Sequence, residues 1–228
     1  MKDMKISSGT GIMDSMLDGG YDSDIITTIY GPAGSGKTNL CLLAAISVAK
    51  DRKKVIYIDT EGGFSVSRLN QLTDAKEILK DIIFLKPTSF SEQKKAFQKL
   101  KKLITAEQNI GLIIVDTIAM LYRLEIGKSD DVYETNRELG KQLANLTMVA
   151  RKKRIPILIT NQVYSNFNEP NSVSMVGGDL LRYGSKCLIE LKISQDKLSR
   201  TAILKKHRSL AQEKTFDFRI VEKGIEPV

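Results

Sequence analysis

The sequence predicts an α/β protein: a mostly parallel central sheet flanked by helices, with antiparallel edge strands toward its C-terminal end. Three observations carry that prediction. Apolar runs rich in β-branched residues recur along the chain, helix-length segments with apolar spacing of three and four separate most of them, and closely spaced short strands take over beyond Lys186.

The buried-strand runs are Ile25 to Tyr30, Val55 to Asp59, Ile82 to Leu85, Leu112 to Val115 and Ile157 to Thr160. The spacing predicts helices over Thr38 to Lys50, Ser89 to Ala106 and Asp131 to Lys153, which makes the alternation that parallel crossovers require. Beyond Lys186, "CLIELKIS", "RTAILKK" and "TFDFRIVEKGIEPV" read as antiparallel strands extending one edge. Tyr164 to Gly178, rich in Asn and Ser, reads as one long irregular loop, a length that points to function.

The 228 residues suit one domain spanning 1–228, and a composition of 42% hydrophobic and 27% charged residues describes a globular chain. Apolar stretches are too short for a membrane span and no signal-peptide core opens the chain, so a cytoplasmic protein without a membrane partner is expected. Cys41 and Cys187 lie far apart in apolar segments and read as buried thiols rather than zinc ligands. The net charge of +8 suits nucleic acid or an acidic protein surface. The basic runs Lys50 to Lys54, Gln98 to Leu103 and Arg151 to Arg154 also suit solvated helix ends.

"GPAGSGKT" (Gly31, Pro32, Ala33, Gly34, Ser35, Gly36, Lys37, Thr38) follows a strand and opens a helix, the setting of a phosphate-binding loop. Glycines let successive N–H groups turn inward around phosphate oxygens, and the helix N-terminus adds positive potential. Lys37 is then a catalytic cation for the β- and γ-phosphates, Thr38 a Mg²⁺ ligand, and Asn39 a further nucleotide contact. ATP and Mg²⁺ are the implied cofactors. "GLIIVDT" ends a buried strand in Asp116, which suits the Mg²⁺ shell or a helix cap.

"YIDTEGGF" places Glu61 at the end of the next strand, as a base that orients water or as a polar turn residue before two glycines. "LITNQV" offers Gln162 as a γ-phosphate sensor or as a solvated amide. Spacing alone leaves both pairs open.

These motifs in this order, preceded by "ISSGTGIMDSMLDGG" and followed by a late "GGD", resemble the RecA/RadA recombinase family across nearly the whole chain. The resemblance implies a RecA-type P-loop core, Glu61 as water-activating carboxylate, Gln162 as sensor and Arg68 near the adenine. DNA, single-stranded or branched, is the implied partner, joined by a RadA recombinase or a Holliday-junction enzyme and by further copies of the chain. The sequence departs from the full recombinase pattern: no helix-hairpin-helix domain and no Phe-x-x-Ala segment precede the core, and Asp179 follows Gly177 and Gly178 where RadA has histidine.

The long loop corresponds to a recombinase DNA loop but holds no Lys or Arg, so contact would fall to Tyr164, Asn166, Phe167 and Asn168. Lys206 and Arg208 resemble the trans-acting finger of KaiC-type and DnaB-type ATPases; a basic hairpin is the competing reading. His207, between them, reads as a turn residue. The functions to weigh are a weakly hydrolysing, DNA-binding recombinase paralogue without strand exchange, and a ring ATPase acting on a protein partner. A metabolite kinase is disfavoured because no arginine-rich lid is evident.

Overall fold

The computed structural model describes residues 4–128, 131–165 and 173–228. The chain opens with β1 (Lys5–Ile6), α1 (Gly11–Met16) and β2 (Tyr21–Asp22), and continues through β3 (Ile26–Gly31), α2 (Lys37–Lys50) and β4 (Lys54–Asp59). Next come α3 (Val66–Leu72), α4 (Ala75–Leu79), β5 (Ile82–Leu85), α5 (Phe90–Ala106), β6 (Ile110–Asp116), α6 (Met120–Ile126) and α7 (Val132–Lys153). The remainder is β7 (Ile157–Ser165), β8 (Val173–Met175), α8 (Gly178–Gly184), β9 (Cys187–Ile193), β10 (Arg200–Lys206), β11 (Thr215–Val221) and β12 (Gly224–Pro227).

The main sheet has the order β12-β11-β10-β9-β3-β7-β6-β4-β5, with β8 paired to β7 outside that path. The strands from β9 to β5 in that order are all parallel, whereas β10, β11 and β12 are antiparallel. Helices cover both faces, which is why the central strands read as continuous apolar runs. Val55, Tyr57, Leu112 and Ile114 pack toward α2 and α1, while Ile56, Ile58, Ile113 and Val115 pack toward α5, α6 and α7.

Helix starts follow local chemistry. Ser89 accepts from the Glu92 N–H at the entry to α5, and the Glu92 carboxylate accepts in return from the Thr88 N–H. Asp131 caps α7 by accepting from the Glu134 N–H. Among the described residues no helix is long and apolar enough to cross a membrane.

One expectation is refined and one corrected. β9 to β12 are mutually antiparallel as expected, but β9 joins the sheet parallel to β3, because α8 carries the chain back along the sheet before β9 begins. Tyr164 to Gly178 is not irregular throughout: Tyr164 and Ser165 extend β7, Val173 to Met175 pair with them in antiparallel register, and Gly178 starts α8. Asn166, Phe167 and Asn168 lie outside the described residues.

Candidate nucleotide site

Because β3, β4, β6 and β7 are parallel and adjacent, the segments at their C-terminal ends converge. The glycine-rich loop follows β3, Glu61 follows β4, Asp116 closes β6, and Gln162 of β7 sits in register with Gly31. Between them lies a cleft of about 250 Å³ lined by Ala33, Gly34, Gly36, Lys37, Thr38, Asn39, Glu61, Gly63, Gln162 and Ile220.

The loop needs its glycines. Gly36 sits at φ 101°, and a Cβ on Gly31 would lie 2.4 Å from the Leu191 carbonyl oxygen. Lys37, only 7% exposed, donates to the Gly31 and Pro32 carbonyl oxygens at 2.9 and 2.8 Å. Burial pulls its ammonium pKa down, and Glu61 and Asp116 partly restore it.

Asp116 forms a buried wall. Its Oδ2 accepts from the Thr38 hydroxyl at 2.9 Å and from the Tyr57 hydroxyl at 2.8 Å, and its Oδ1 accepts from the Thr160 hydroxyl at 2.5 Å. Burial pushes its carboxyl pKa up, while the three hydroxyls pull it back. Gly63 matters here, since a Cβ on it would meet Thr38 Oγ1 at 3.5 Å and Asp116 Oδ2 at 3.9 Å. The room left beside a hydroxyl and a carboxylate suits a hard cation that keeps most of its water and phosphate ligands. Among the described residues no cluster of three or more His, Cys, Asp or Glu could hold a metal ion.

Glu61 is exposed and held differently. Its Oε1 accepts from the Gln162 amide and its Oε2 from the Thr117 hydroxyl, both at 2.6 Å. Thr117 sits at φ 64°, its N–H donating to Thr160 Oγ1 and its carbonyl accepting from the Thr60 hydroxyl. The loop itself hangs on Asp59, which accepts from the N–H groups of Glu61, Gly62, Gly63 and Phe64 at 2.8 to 3.2 Å. Sequence reasoning missed Asp59; an aspartate followed by two glycines is a signal for such a turn. It also missed Thr117, Thr160 and Tyr57, whose partners are distant in sequence.

Gln162 also links the cleft to β8. Its carbonyl accepts from the Val176 N–H at 3.2 Å, and the neighbouring Asn161 amide donates to the Val176 carbonyl at 2.7 Å. Tyr164, two residues on, is exposed in the same strand.

Arg68 on α3 uses every guanidinium nitrogen. Nε donates to Asn39, one terminal nitrogen to Gln71 and the Glu222 carbonyl, and the other to the carbonyls of Val221 and Gly224. It therefore clamps the β11–β12 hairpin against the end of the loop helix.

Lys206 and Arg208 stand elsewhere. Lys206 donates to the Arg182 and Ser185 carbonyls, each at 2.8 Å, and Arg208 pairs with Asp22 at 3.2 Å and Asp24 at 2.8 Å. The hydrogen bond from Arg208 holds the Asp24 carboxyl below its usual range. Asp24 precedes β3 and the phosphate loop follows it, so the length of the strand, roughly 20 Å, separates Arg208 from its own chain's cleft. His207 lies in a turn, its Nδ1 accepting from the Ser209 and Leu210 N–H groups at 3.2 Å. Cys41 and Cys187 are buried free thiols.

The Rad51 family model matches residues 1–228. The chain is 41% identical over 226 residues to the DNA repair and recombination protein RadB of Methanobrevibacter smithii, covering 97% of this chain and 95% of that one. It is 42% identical to the protein of the same name from Methanocaldococcus jannaschii, covering 94% and 99%. A solved structure described as the RadB recombinase superposes with a TM-score of 0.81 at 36% identity, over 98% of this chain and 99% of the other. Sheet order, phosphate loop and whole-chain likeness agree, and the chain belongs to the Rad51 family of RecA-fold proteins.

Proposed function

We propose that this chain is an ATP-binding, slowly hydrolysing recombinase paralogue that binds DNA and serves DNA repair and homologous recombination without exchanging strands itself. The observation that carries the reading is the pair of hydrogen bonds that tie Glu61 to Gln162 and Thr117 at the mouth of the phosphate cleft. A water-orienting carboxylate and a phosphate-sensing amide are in contact, so one cannot be engaged without affecting the other.

The chemistry follows from the residues. Lys37 exchanges the carbonyls of Gly31 and Pro32 for the β- and γ-phosphate oxygens of ATP. Thr38 and Asp116 would hold Mg²⁺, which supplies charge neutralisation to the phosphates. Gln162 turns from Glu61 to the γ-phosphate, freeing a carboxylate oxygen to accept a proton from water. The main-chain carbonyl of Gln162 holds the Val176 N–H beside β8, so a shift of the strand that accompanies this turn would reach the proposed DNA-facing segment. Arg68, its edge occupied by acceptors, keeps only its flat faces for a ligand, and a flat cation suits stacking on adenine.

Turnover is expected to be slow because among the described residues no arginine lines the cleft, and Arg200, which reaches the Gly34 carbonyl, is also held by the carbonyls of Lys197 and Leu198. Steady-state phosphate release with Mg²⁺ and ATP tests the reading: Glu61→Gln should lower the rate by about 10² or more while leaving nucleotide binding intact. Fast hydrolysis by a dilute monomer would count against it. The partner proposed from the relatives' name, DNA repair and recombination protein, is DNA; a RadA recombinase or a Holliday-junction enzyme is proposed beside it from the family resemblance, with the cytoplasm as the place of action.

A second reading rests on Lys206 and Arg208. Their place at the far end of the sheet leaves only a neighbouring subunit's cleft within their reach, as in a KaiC-like or DnaB-like ring acting on a protein partner. Sedimentation with ATP separates the two: a closed hexamer favours the ring, a monomer or dimer the paralogue.

A further inference from the structure

The parallel sheet sorts the molecule into two ends. Helices α5 and α7 start at the end that carries the phosphate cleft and run back beside each other, so their C-termini finish at the opposite end, where β6 and β7 begin. Both pack on the same face of the sheet.

Basic residues crowd the C-terminal parts of both helices, in the last turn of α7 and one to two turns short of the end of α5. Lys99, Lys101 and Lys102 on α5 and the run Arg151 to Arg154 closing α7 are all exposed, and Glu107 is the only carboxylate in residues 99–109 and 147–154. Among the described residues none of these seven cations has a carboxylate within ion-pair distance, although Arg154 lies near enough to Asp24 to add to the lowering of its carboxyl pKa by Arg208. A helix C-terminus carries the equivalent of about half a negative charge, felt within its last turn, so the dipole accounts for part of the α7 run and for none of the α5 lysines. Adjacent packed helices stand about 8–10 Å apart, so the exposed cations of α5 and α7 are carried by neighbouring helices at one end of the same face.

Resting on the DNA-binding reading above, we infer that this end is a docking surface for the phosphate backbone of double-stranded DNA. Duplex is favoured over single strand by what the surface lacks. Single strands are gripped by aromatic side chains on which bases stack, and no Phe, Tyr or Trp occurs in Lys99 to Asn109 or Thr147 to Arg154. Backbone contact with a duplex needs only spaced cations. The surface therefore supplies the phosphate neutralisation that the stretch between Arg154 and Arg182, without a single Lys or Arg, does not.

The test is fluorescence anisotropy of a labelled 30-base-pair duplex and a labelled oligo-dT, each over a salt series. It compares the native chain with two triple variants, K99E/K101E/K102E and R151E/K152E/K153E, and with K76E/K197E/K223E, which makes the same change in net charge elsewhere. Each lost phosphate contact should lower the log–log salt slope by about 0.9. The expected result is a slope reduced by about 2 and duplex affinity reduced tenfold or more in both helix-end variants. The control variant should lose less, and oligo-dT binding should change little. Equal losses in all three variants, or an unchanged duplex slope, overturns the placement while leaving DNA binding standing. No binding of either DNA by the native chain at low salt overturns the DNA reading itself.

Discussion

The β6 wall and the loop after β4 each present a carboxylate to the cleft, and the two are held by opposite means. Asp116 is 1% exposed and accepts from three hydroxyls on three different elements. Glu61 is exposed, tied by one side-chain amide and one hydroxyl, on a loop that hangs from Asp59. Low dielectric and several donors fix a charge in one place, as a cation site needs. A solvated carboxylate with one movable partner can change its bonds at little cost, as a proton acceptor needs.

The strongest test of that contrast is Asp116→Ala. It leaves the Tyr57 hydroxyl in the core without its acceptor and should cost about 2–4 kcal/mol, read as a lower urea midpoint, with turnover lost. A midpoint equal to the native one would remove the structural half of the comparison. Asp59→Ala comes next. Asp59 is 3% exposed and four backbone N–H groups lose their acceptor, so a cost of about 1–3 kcal/mol should accompany a turnover loss of about tenfold. If turnover survives, the loop holds Glu61 without Asp59. Thr117→Val is smallest: one hydrogen bond of about 1 kcal/mol disappears, so phosphate release should slow about fivefold and the urea midpoint should fall by no more than that 1 kcal/mol implies. A large stability loss there would mean that the exposed carboxylate is as structural as the buried one.

Much of this was legible in the sequence because the relevant signals are local. Covered parallel strands must be apolar on both faces, so β3, β4, β5, β6 and β7 stood out. Apolar spacing of three and four marked α5 and α7, whose starts Ser89 and Asp131 cap. The phosphate loop, Glu61, Asp116 and Gln162 were found by type and order; the sheet brings the loop, Glu61 and Gln162 to one cleft and buries Asp116 behind Thr38 at its floor.

What escaped depends on distance along the chain or on brevity. The direction of β9 is set by α8, a helix of seven residues that carries no clear periodicity. The two-residue strands β1 and β2 and the short helices α1, α3, α4 and α6 were missed for the same reason. The bonds of Thr160 to Asp116 and of Thr117 to Glu61 cross 44 and 56 residues, and no spacing rule reaches that far.

Thr117 carries a consequence of its own. A β-branched residue in left-handed backbone is uncommon and costs about 1–3 kcal/mol, a strain that glycine would relieve. Glycine, however, has no hydroxyl to give to Glu61. The molecule thus keeps a small reserve of conformational tension beside Glu61, the proposed proton acceptor, and a variant chosen only for heat resistance would be drawn to this position first and would lose the alignment of Glu61 in the exchange.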